Sequence, residues 1–219
     1  RNHDGVFVVD HVVALPHGAF GEALSPDGRL LVATGGWSTS VLSVAKLEQG
    51  TRGAVLGELN DGAGAGAVYA AIAPDNQHVF VSDESRARID VFDLAPRQTP
   101  AVAVGRLVGR IPVANGPVGL ALSPDGKWLY STNQRGPANM HESCAAERGG
   151  MRPHPAGLLL RINVAKAIID PRHAVAAALP AGCNPVRVAV SPDGGQLWVS
   201  ARGGDALLDI DVDDWLAKK

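Results

Sequence analysis

Several features that mark particular classes of protein are scarce in this 219-residue sequence. Aromatic residues make up 5% and charged residues 19%, and the formal net charge is −2, so nothing indicates a basic surface for nucleic acid or acidic membranes. The longest apolar runs, such as residues 6–9 and 12–15, are far too short to cross a bilayer. The sequence therefore predicts neither a nucleic-acid partner nor a membrane span.

Cysteine is also scarce, since Cys144 and Cys183 are the only two thiols. They allow one disulfide or none, and the outcome depends on whether the fold brings them together. The chain begins at Arg1 rather than at methionine, so we expect that a leader or an upstream part has been removed.

What the sequence does contain is a repeated turn, in a chain with 26 glycines and 15 prolines. Four segments end in Ser/Ala-Pro-Asp-Gly/Asn, and their prolines stand at positions 26, 74, 124 and 192. The first two steps, of 48 and 50 residues, match one propeller blade of roughly 40–50 residues. The last step, of 68 residues, fits a blade with an insertion.

Each repeat has the pattern of a four-stranded antiparallel meander. Proline sets φ for the turn, aspartate caps it, and Gly or Asn accepts a positive φ. A small residue precedes each turn by three positions, as expected for inner strands crowded around an axis, namely Ala23, Ala71, Ala121 and Ala189. The fixed period favours a propeller over an ordinary β-sandwich.

We therefore predict an all-β fold, a β-propeller with about four four-stranded blades in one domain. The predicted blades cover residues 17–60, 66–114, 117–181 and 184–219. Residues 1–15 would be a strand of a preceding blade, or residues 6–13 would supply the missing fourth strand of the last blade. The chain would then be an arc of a larger ring. Two alternatives stay open: two or more chains complete one ring together, or the four blades close into a ring by themselves.

The repeat resembles a known family of propellers. Ser123-Pro124-Asp125-Gly126 followed by Tyr130-Ser131-Thr132-Asn133 is similar to the turn and strand of the YVTN-repeat, lactonase-like propellers, which usually have seven blades. This resemblance implies the fold over nearly the whole chain, and it implies a hydrolase that opens a sugar lactone or related ester.

Propeller geometry places the insertion, residues 134–156, on the face opposite the Pro-Asp turns, here called the top face. Cys144 lies in the insertion and Cys183 lies just before an inner strand, also at the top, so a disulfide between them is predicted. A disulfide favours a periplasmic or secreted protein. The insertion also carries His141, Glu142 and His154, which could bind a divalent metal or could simply belong to a solvated polar lid.

The predicted ligand site lies at the mouth of the channel on the top face. Glu22 interrupts a row of aliphatic residues and His17 precedes the first inner strand, so either is a candidate catalytic base. Tyr69 and Arg187 precede their turn prolines by five positions and could polarise a carbonyl or hold a small-molecule or glycan ligand.

Three further polar residues follow second strands at the top, and they are candidate ligand contacts or a polar rim: Asp83, Asn133 and Arg202. The sequence leaves open whether the chain is an enzyme. The alternative to a lactonase-like hydrolase is a non-catalytic propeller that binds a protein, glycan or small ligand.

Overall fold

Short antiparallel strands make up most of the structure, and each Pro-Asp turn joins the first two strands of a sheet. The computed structural model describes residues 2–3, 5–51, 53–60, 62–94, 104–140, 142–145 and 153–217. An N-terminal hairpin precedes the sheets and consists of β1 (Asn2–His3) and β2 (Val6–Phe7).

Four larger sheets follow, and in each the strands pair in the order of the chain, with one insertion between the second and third strands of the third sheet. The first contains β3 (Gly21–Leu24), β4 (Leu30–Thr34), β5 (Thr39–Ser43) and β6 (Val55–Leu59). The second contains β7 (Ala67–Ile72), β8 (His78–Asp83), β9 (Arg88–Asp93) and β10 (Arg106–Pro112). The third contains β11 (Asn115–Leu122), β12 (Trp128–Arg135), β15 (Leu158–Asn163) and β16 (Val175–Pro180), with a hairpin of β13 (Ser143–Cys144) and β14 (His154–Pro155) in its insertion. The fourth contains β17 (Pro185–Val190), β18 (Gln196–Ala201) and β19 (Ala206–Asp211).

The described residues form three short helices, each after the third strand of a sheet, namely α1 (Val44–Glu48), α2 (Val164–Ile169) and α3 (Val212–Ala217). Three 3₁₀ turns cover Glu84–Arg86, Pro171–His173 and Arg202–Gly204. In the part of the chain that the structure describes, no helix is long and apolar enough to cross a membrane.

The inner strands β3, β7, β11 and β17 lie side by side in that order, so the sheets stack like propeller blades. We call the face of a sheet that meets the preceding sheet its leading face, and the opposite face its trailing face. Apolar layers fill the three spaces between sheets, with Val32 and Phe92 in the first, Phe80 and Ile162 in the second, and Leu159 in the third. The predicted propeller of four-stranded antiparallel blades is thereby confirmed.

Three of the four repeated turns are stabilised by a serine–aspartate pair. The Ser123 hydroxyl donates to Asp125 at 2.6 Å and accepts from the Trp128 backbone N–H at 3.0 Å. That donation is the main reason why the pKa of the Asp125 carboxyl falls to about 2. The second turn has Ala73 in place of serine, and there the His78 imidazole lies 2.6 Å from Asp75.

In the first three sheets, a hydroxyl on the second strand links the sheet to the next one. Thr34 donates to the Val68 carbonyl at 2.8 Å, and Ser82 donates to the Val118 carbonyl at 3.0 Å. Thr132 makes the same bond, at 3.0 Å, to the carbonyl of Val186. These bonds fix the register between neighbouring inner strands, because each hydroxyl is buried where its position is set by β-pairing.

The trailing face of the fourth sheet has the chemistry of a buried face but is open. Trp198 is 37% exposed and Leu207 is 70% exposed. The residues at the equivalent positions of the second and third sheets are at most 1% exposed, and they are Phe80, Ile89, Tyr130 and Leu159. This face therefore presents an apolar surface that the other sheets cover with a neighbour.

The inter-sheet hydroxyl bond can be tested with two equivalent serines. Ser82→Ala should lower the free energy of unfolding by about 1–3 kcal/mol, because it leaves the Val118 carbonyl and the Tyr69 N–H without a buried partner. Ser200→Ala should change it by less than about 0.5 kcal/mol, since Ser200 lies on the open face. Urea denaturation measures both free energies of unfolding. Equal losses in the two variants would show that the hydrogen bond between sheets does not account for the stabilisation.

The open face should also make the chain self-associate. We expect a mass above the monomer's 22.7 kDa by light scattering at micromolar concentration, and a shift towards the monomer in Leu207→Glu. Ile169→Glu is the matched control, because Ile169 is 83% exposed but lies on α2, away from that face. A monomeric wild type would contradict this expectation.

The assignment of residues 1–15 to a preceding or closing blade stays a prediction, and the described residues show only a local pairing there. Val6–Phe7 pairs with Asn2–His3 across a turn in which Gly5 adopts φ +81°, so its partner is local. Residues 8–20 contain no helix or strand, and in the described residues the fourth sheet has three strands and gains none from the N-terminus.

Candidate functional site

A cavity of about 550 Å³ opens on the top face where the first and second sheets meet. The turn after β4 forms one wall and the 3₁₀ turn Glu84–Arg86 forms the other. A bridge between Gly36 and Ala67, with N–H···O distances of 2.9 and 2.6 Å, ties the two sheets together at its floor. The side chains that line it include His17, Phe20, Trp37, Glu84 and Ser85.

His17 is held in this cavity between a carboxylate and an aromatic ring. Its Nε2 lies 3.6 Å from Oε2 of Glu58, a residue of β6. The rings of His17 and Trp37 are 6.5 Å apart between centroids. The second oxygen of Glu58, Oε1, is buried and has no hydrogen-bond partner among the described residues. The carboxylate is thus available to stabilise a positive charge on the imidazole.

Glu22, the other predicted base, lies elsewhere. The pairing of β3 to β6 places Glu22, Ala33, Ser40 and Glu58 in one row across the leading face of the first sheet. Three strand spacings separate the two glutamates, about 14 Å. Glu22 is exposed and makes no ion pair in the described part of the chain, so the structure brings His17 to Glu58 rather than to Glu22.

Tyr69 and Arg187 meet across the inner strands. The Arg187 guanidinium carbon lies 4.7 Å from the centre of the Tyr69 ring, within the range of a cation–π contact. Gly21 makes room for the tyrosine, because a Cβ at Gly21 would lie 2.5 Å from the Tyr69 ring. Arg187 is exposed. Their role in ligand binding stays a prediction, but the fold does place them together.

The three predicted rim residues differ in exposure. Asp83 is buried, accepts from the Gly66 N–H at 2.9 Å and lies 3.3 Å from Arg88. Asn133 is buried as well and donates to the Ser131 carbonyl at 3.1 Å. Arg202 alone is exposed. Asp83 and Asn133 are therefore not part of an exposed polar rim. Ligand contact by any of the three residues stays a prediction.

The insertion is pinned to the top of the fourth sheet, since Cys144 of β13 and Cys183 form the predicted disulfide, with Cα atoms 5.6 Å apart. His154 lies opposite Cys144 in the hairpin and is buried, with Nδ1 2.8 Å from the Pro155 carbonyl oxygen. Glu142 is exposed, and His141 lies outside the described residues. The described ranges contain no group of three potential metal ligands, and the divalent-metal site stays a prediction.

The sequence did not predict three residues that line the cavity, Phe20, Trp37 and Ser85, nor Glu58, the partner of His17. Trp37 offered a signal, because an aromatic residue in a glycine-rich turn has no core position to fill, and it is 74% exposed. Glu58 offered little, since a polar residue in an outer strand is ordinary.

Comparison with known proteins supports the fold. A structure from Bacteroides uniformis named "putative 6-phosphogluconolactonase" matches with a TM-score of 0.62 and 18% identity, over 88% of this chain and 50% of that one. A protein of the same name from Bacteroides fragilis matches with a TM-score of 0.63, 18% identity and the same coverage. The β-propeller domain of Cps50 (Swd1) from Myceliophteria thermophila matches with a TM-score of 0.55 and 13% identity, over 84% of this chain and 48% of that domain.

At these identities the likenesses show the fold alone, and that fold is a β-propeller. The chain spans about half the length of these solved structures. No protein-family model and no curated protein matches the sequence.

Proposed function

We propose that the cavity between the first and second sheets is the active site of a hydrolase for a sugar lactone or related ester. The observation that carries this proposal is the His17–Glu58 pair, 3.6 Å apart, beside the exposed Trp37. A base backed by a carboxylate is the arrangement that activates water. The fold shared with proteins named for lactone hydrolysis is consistent with it.

In the proposed reaction His17 acts twice. As general base it takes a proton from water, whose oxygen bonds to the lactone carbonyl carbon, while Glu58 stabilises the imidazolium. When the ring C–O bond breaks, the imidazolium returns its proton to the leaving alkoxide. Water is consumed, a hydroxy acid forms, and the histidine regains its starting state.

The rest of the cavity suits a sugar ring. Phe20 and Trp37 are 67% and 74% exposed and offer aromatic faces to the C–H surfaces of a ring. Glu84 and Ser85 add polar groups on the opposite wall. Tyr69 and Arg187 lie outside the lining of this cavity, next to Val68, and they are the proposed contacts for an anionic substituent that extends beyond it.

Hydrolysis of δ-gluconolactone and of its 6-phosphate, followed by pH-stat against the spontaneous rate, tests the proposal. His17→Gln should lower kcat/KM by about 10²–10⁴-fold, the usual contribution of a general base. His173→Gln is the matched control, because His173 is an exposed histidine of the Pro171–His173 turn. Hydrolysis by His17→Gln at the wild-type rate would rule out His17 as the base.

The second candidate is a non-catalytic binding platform, which the exposure of Phe20 and Trp37 favours. Calorimetry with gluconate and glucose separates the two. Saturable binding that is lost in Trp37→Ala, without any lactone hydrolysis, would identify a platform. A periplasmic or secreted location is proposed in either case, because the Cys144–Cys183 disulfide persists in oxidising compartments.

A further inference from the structure

Four arginines line a second cavity, of about 430 Å³, on the other side of the Glu84–Arg86 turn. Three belong to the second sheet and its turn, namely Arg86, Arg88 of β9 and Arg110 of β10. The fourth, Arg172, lies in the 3₁₀ turn between α2 and β16 of the third sheet. Four cations from separate parts of the chain therefore meet at one concave surface.

The third sheet brings Arg172 to this cavity through a tight contact. Pro171 packs against β10 at Gly109, where an added Cβ would lie 2.5 Å from the proline Cγ. The proline ring thus fixes the turn against the outer strand of the second sheet. Arg172 is exposed and, among the described residues, makes no ion pair.

Two buried carboxylates stand behind the arginines. Asp90 is 1% exposed at its side chain and lies 3.0 Å from Arg88 and 3.5 Å from Arg110. Asp83 is equally buried and lies 3.3 Å from Arg88 and 3.6 Å from Arg86. They orient the guanidinium groups of Arg86, Arg88 and Arg110 from behind, so these three arginines reach the cavity already ordered.

The side of the cavity open to solvent is positive. No carboxylate belongs to the described residues that line it, which besides the arginines are Ala87 and Pro112. The Arg110 side chain is 48% exposed. Planar guanidinium groups held in fixed directions suit the tetrahedral oxygens of a phosphate group, which several of them can contact at once.

We propose that this cavity, called the arginine cavity below, binds the phosphate group of a small phosphorylated molecule. Arg110 and Arg172 contact the phosphate from two sheets. Asp83 and Asp90 hold Arg86 and Arg88 in place. The proposal does not depend on hydrolysis at His17. It does place an anion site directly across the Glu84–Arg86 turn from that cavity.

Titration with inorganic phosphate and with glucose 6-phosphate, at constant ionic strength, tests the arginine cavity. Calorimetry should show saturable binding that weakens at least about tenfold in the Arg110→Gln/Arg172→Gln double variant. These two positions are chosen because neither is buried, so the variant should remain folded. A thermal unfolding curve checks that it does.

Arg106→Gln is the matched control, because Arg106 lies on the same strand, is 74% exposed and pairs with Asp93 outside the cavity. It should bind phosphate as the wild type does. No saturable binding, or equal weakening in the control, would overturn the proposal. Much tighter binding of a sulfated polysaccharide than of glucose 6-phosphate, with the same dependence on Arg110 and Arg172, would also overturn the proposal. The surface would then bind a polyanion rather than a small phosphorylated molecule.

Discussion

Arg88→Leu should lower the free energy of unfolding by about 3–5 kcal/mol, the cost of removing one partner from a buried ion pair. The Arg88 Nε lies 3.0 Å from Asp90 and 3.3 Å from Asp83, and both carboxylates are 1% exposed. Their charges would stay buried after the substitution with weaker compensation from Arg86 and Arg110. Urea denaturation followed by circular dichroism measures the loss.

The third sheet supplies the control for this prediction. It carries Leu158 and Leu160 where the second sheet has Arg88 and Asp90, so the fold accepts leucine at both positions. Arg88→Leu/Asp90→Leu should therefore recover at least about 2 kcal/mol of the loss, because apolar replacement of a buried pair is often close to neutral. If the losses caused by Arg88→Leu and by Asp90→Leu simply add in the double variant, the pair does not act as a unit. The same conclusion follows if Arg88→Leu lowers the free energy of unfolding by less than about 1 kcal/mol.

Removing the disulfide by Cys144→Ala and Cys183→Ala should lower the free energy of unfolding by about 4 kcal/mol. The bond closes a loop with a sequence separation of 39, and the entropy that this closure removes from the unfolded chain accounts for that value. The insertion would also lose its covalent tie to the top of the fourth sheet.

Dithiothreitol provides the control for the disulfide. It should lower the Tm of the wild type to that of the double variant and leave the variant itself unchanged. A wild-type Tm that does not respond to complete reduction would show that the packing of the β13–β14 hairpin, rather than the covalent bond, stabilises this region.

The strands and turns of the fold could be predicted because their signals are local. The Pro-Asp turns fix where β4, β8, β12 and β18 begin, and alternating side chains then mark the strands themselves. The helices were missed. α1 and α2 have five and six residues, too few for a periodic pattern, and their capping residues Ser43 and Asn163 also fit the end of a strand.

The site was predicted only in part, because its central contact depends on packing that no local pattern encodes. His17 was expected at the top face, and it is there. Its partner Glu58 comes from an outer strand 41 positions later, and the contact exists because the segment before β3 crosses to the outer part of the first sheet. Glu22 drew notice by interrupting an aliphatic row, yet it lies at the opposite end of the row that it shares with Glu58, three strands away from the carboxylate that His17 contacts.

Within each sheet the strands pair in the order of the chain, and this order has a consequence for how the chain folds during synthesis. Nearly all pairing partners of a strand are close in sequence, so each sheet can form soon after its residues leave the ribosome. Each new sheet then needs only the trailing face of the one before it as a template. Unfolding should begin at the first or the fourth sheet, because among the described residues each of these two has a neighbouring sheet on one face only.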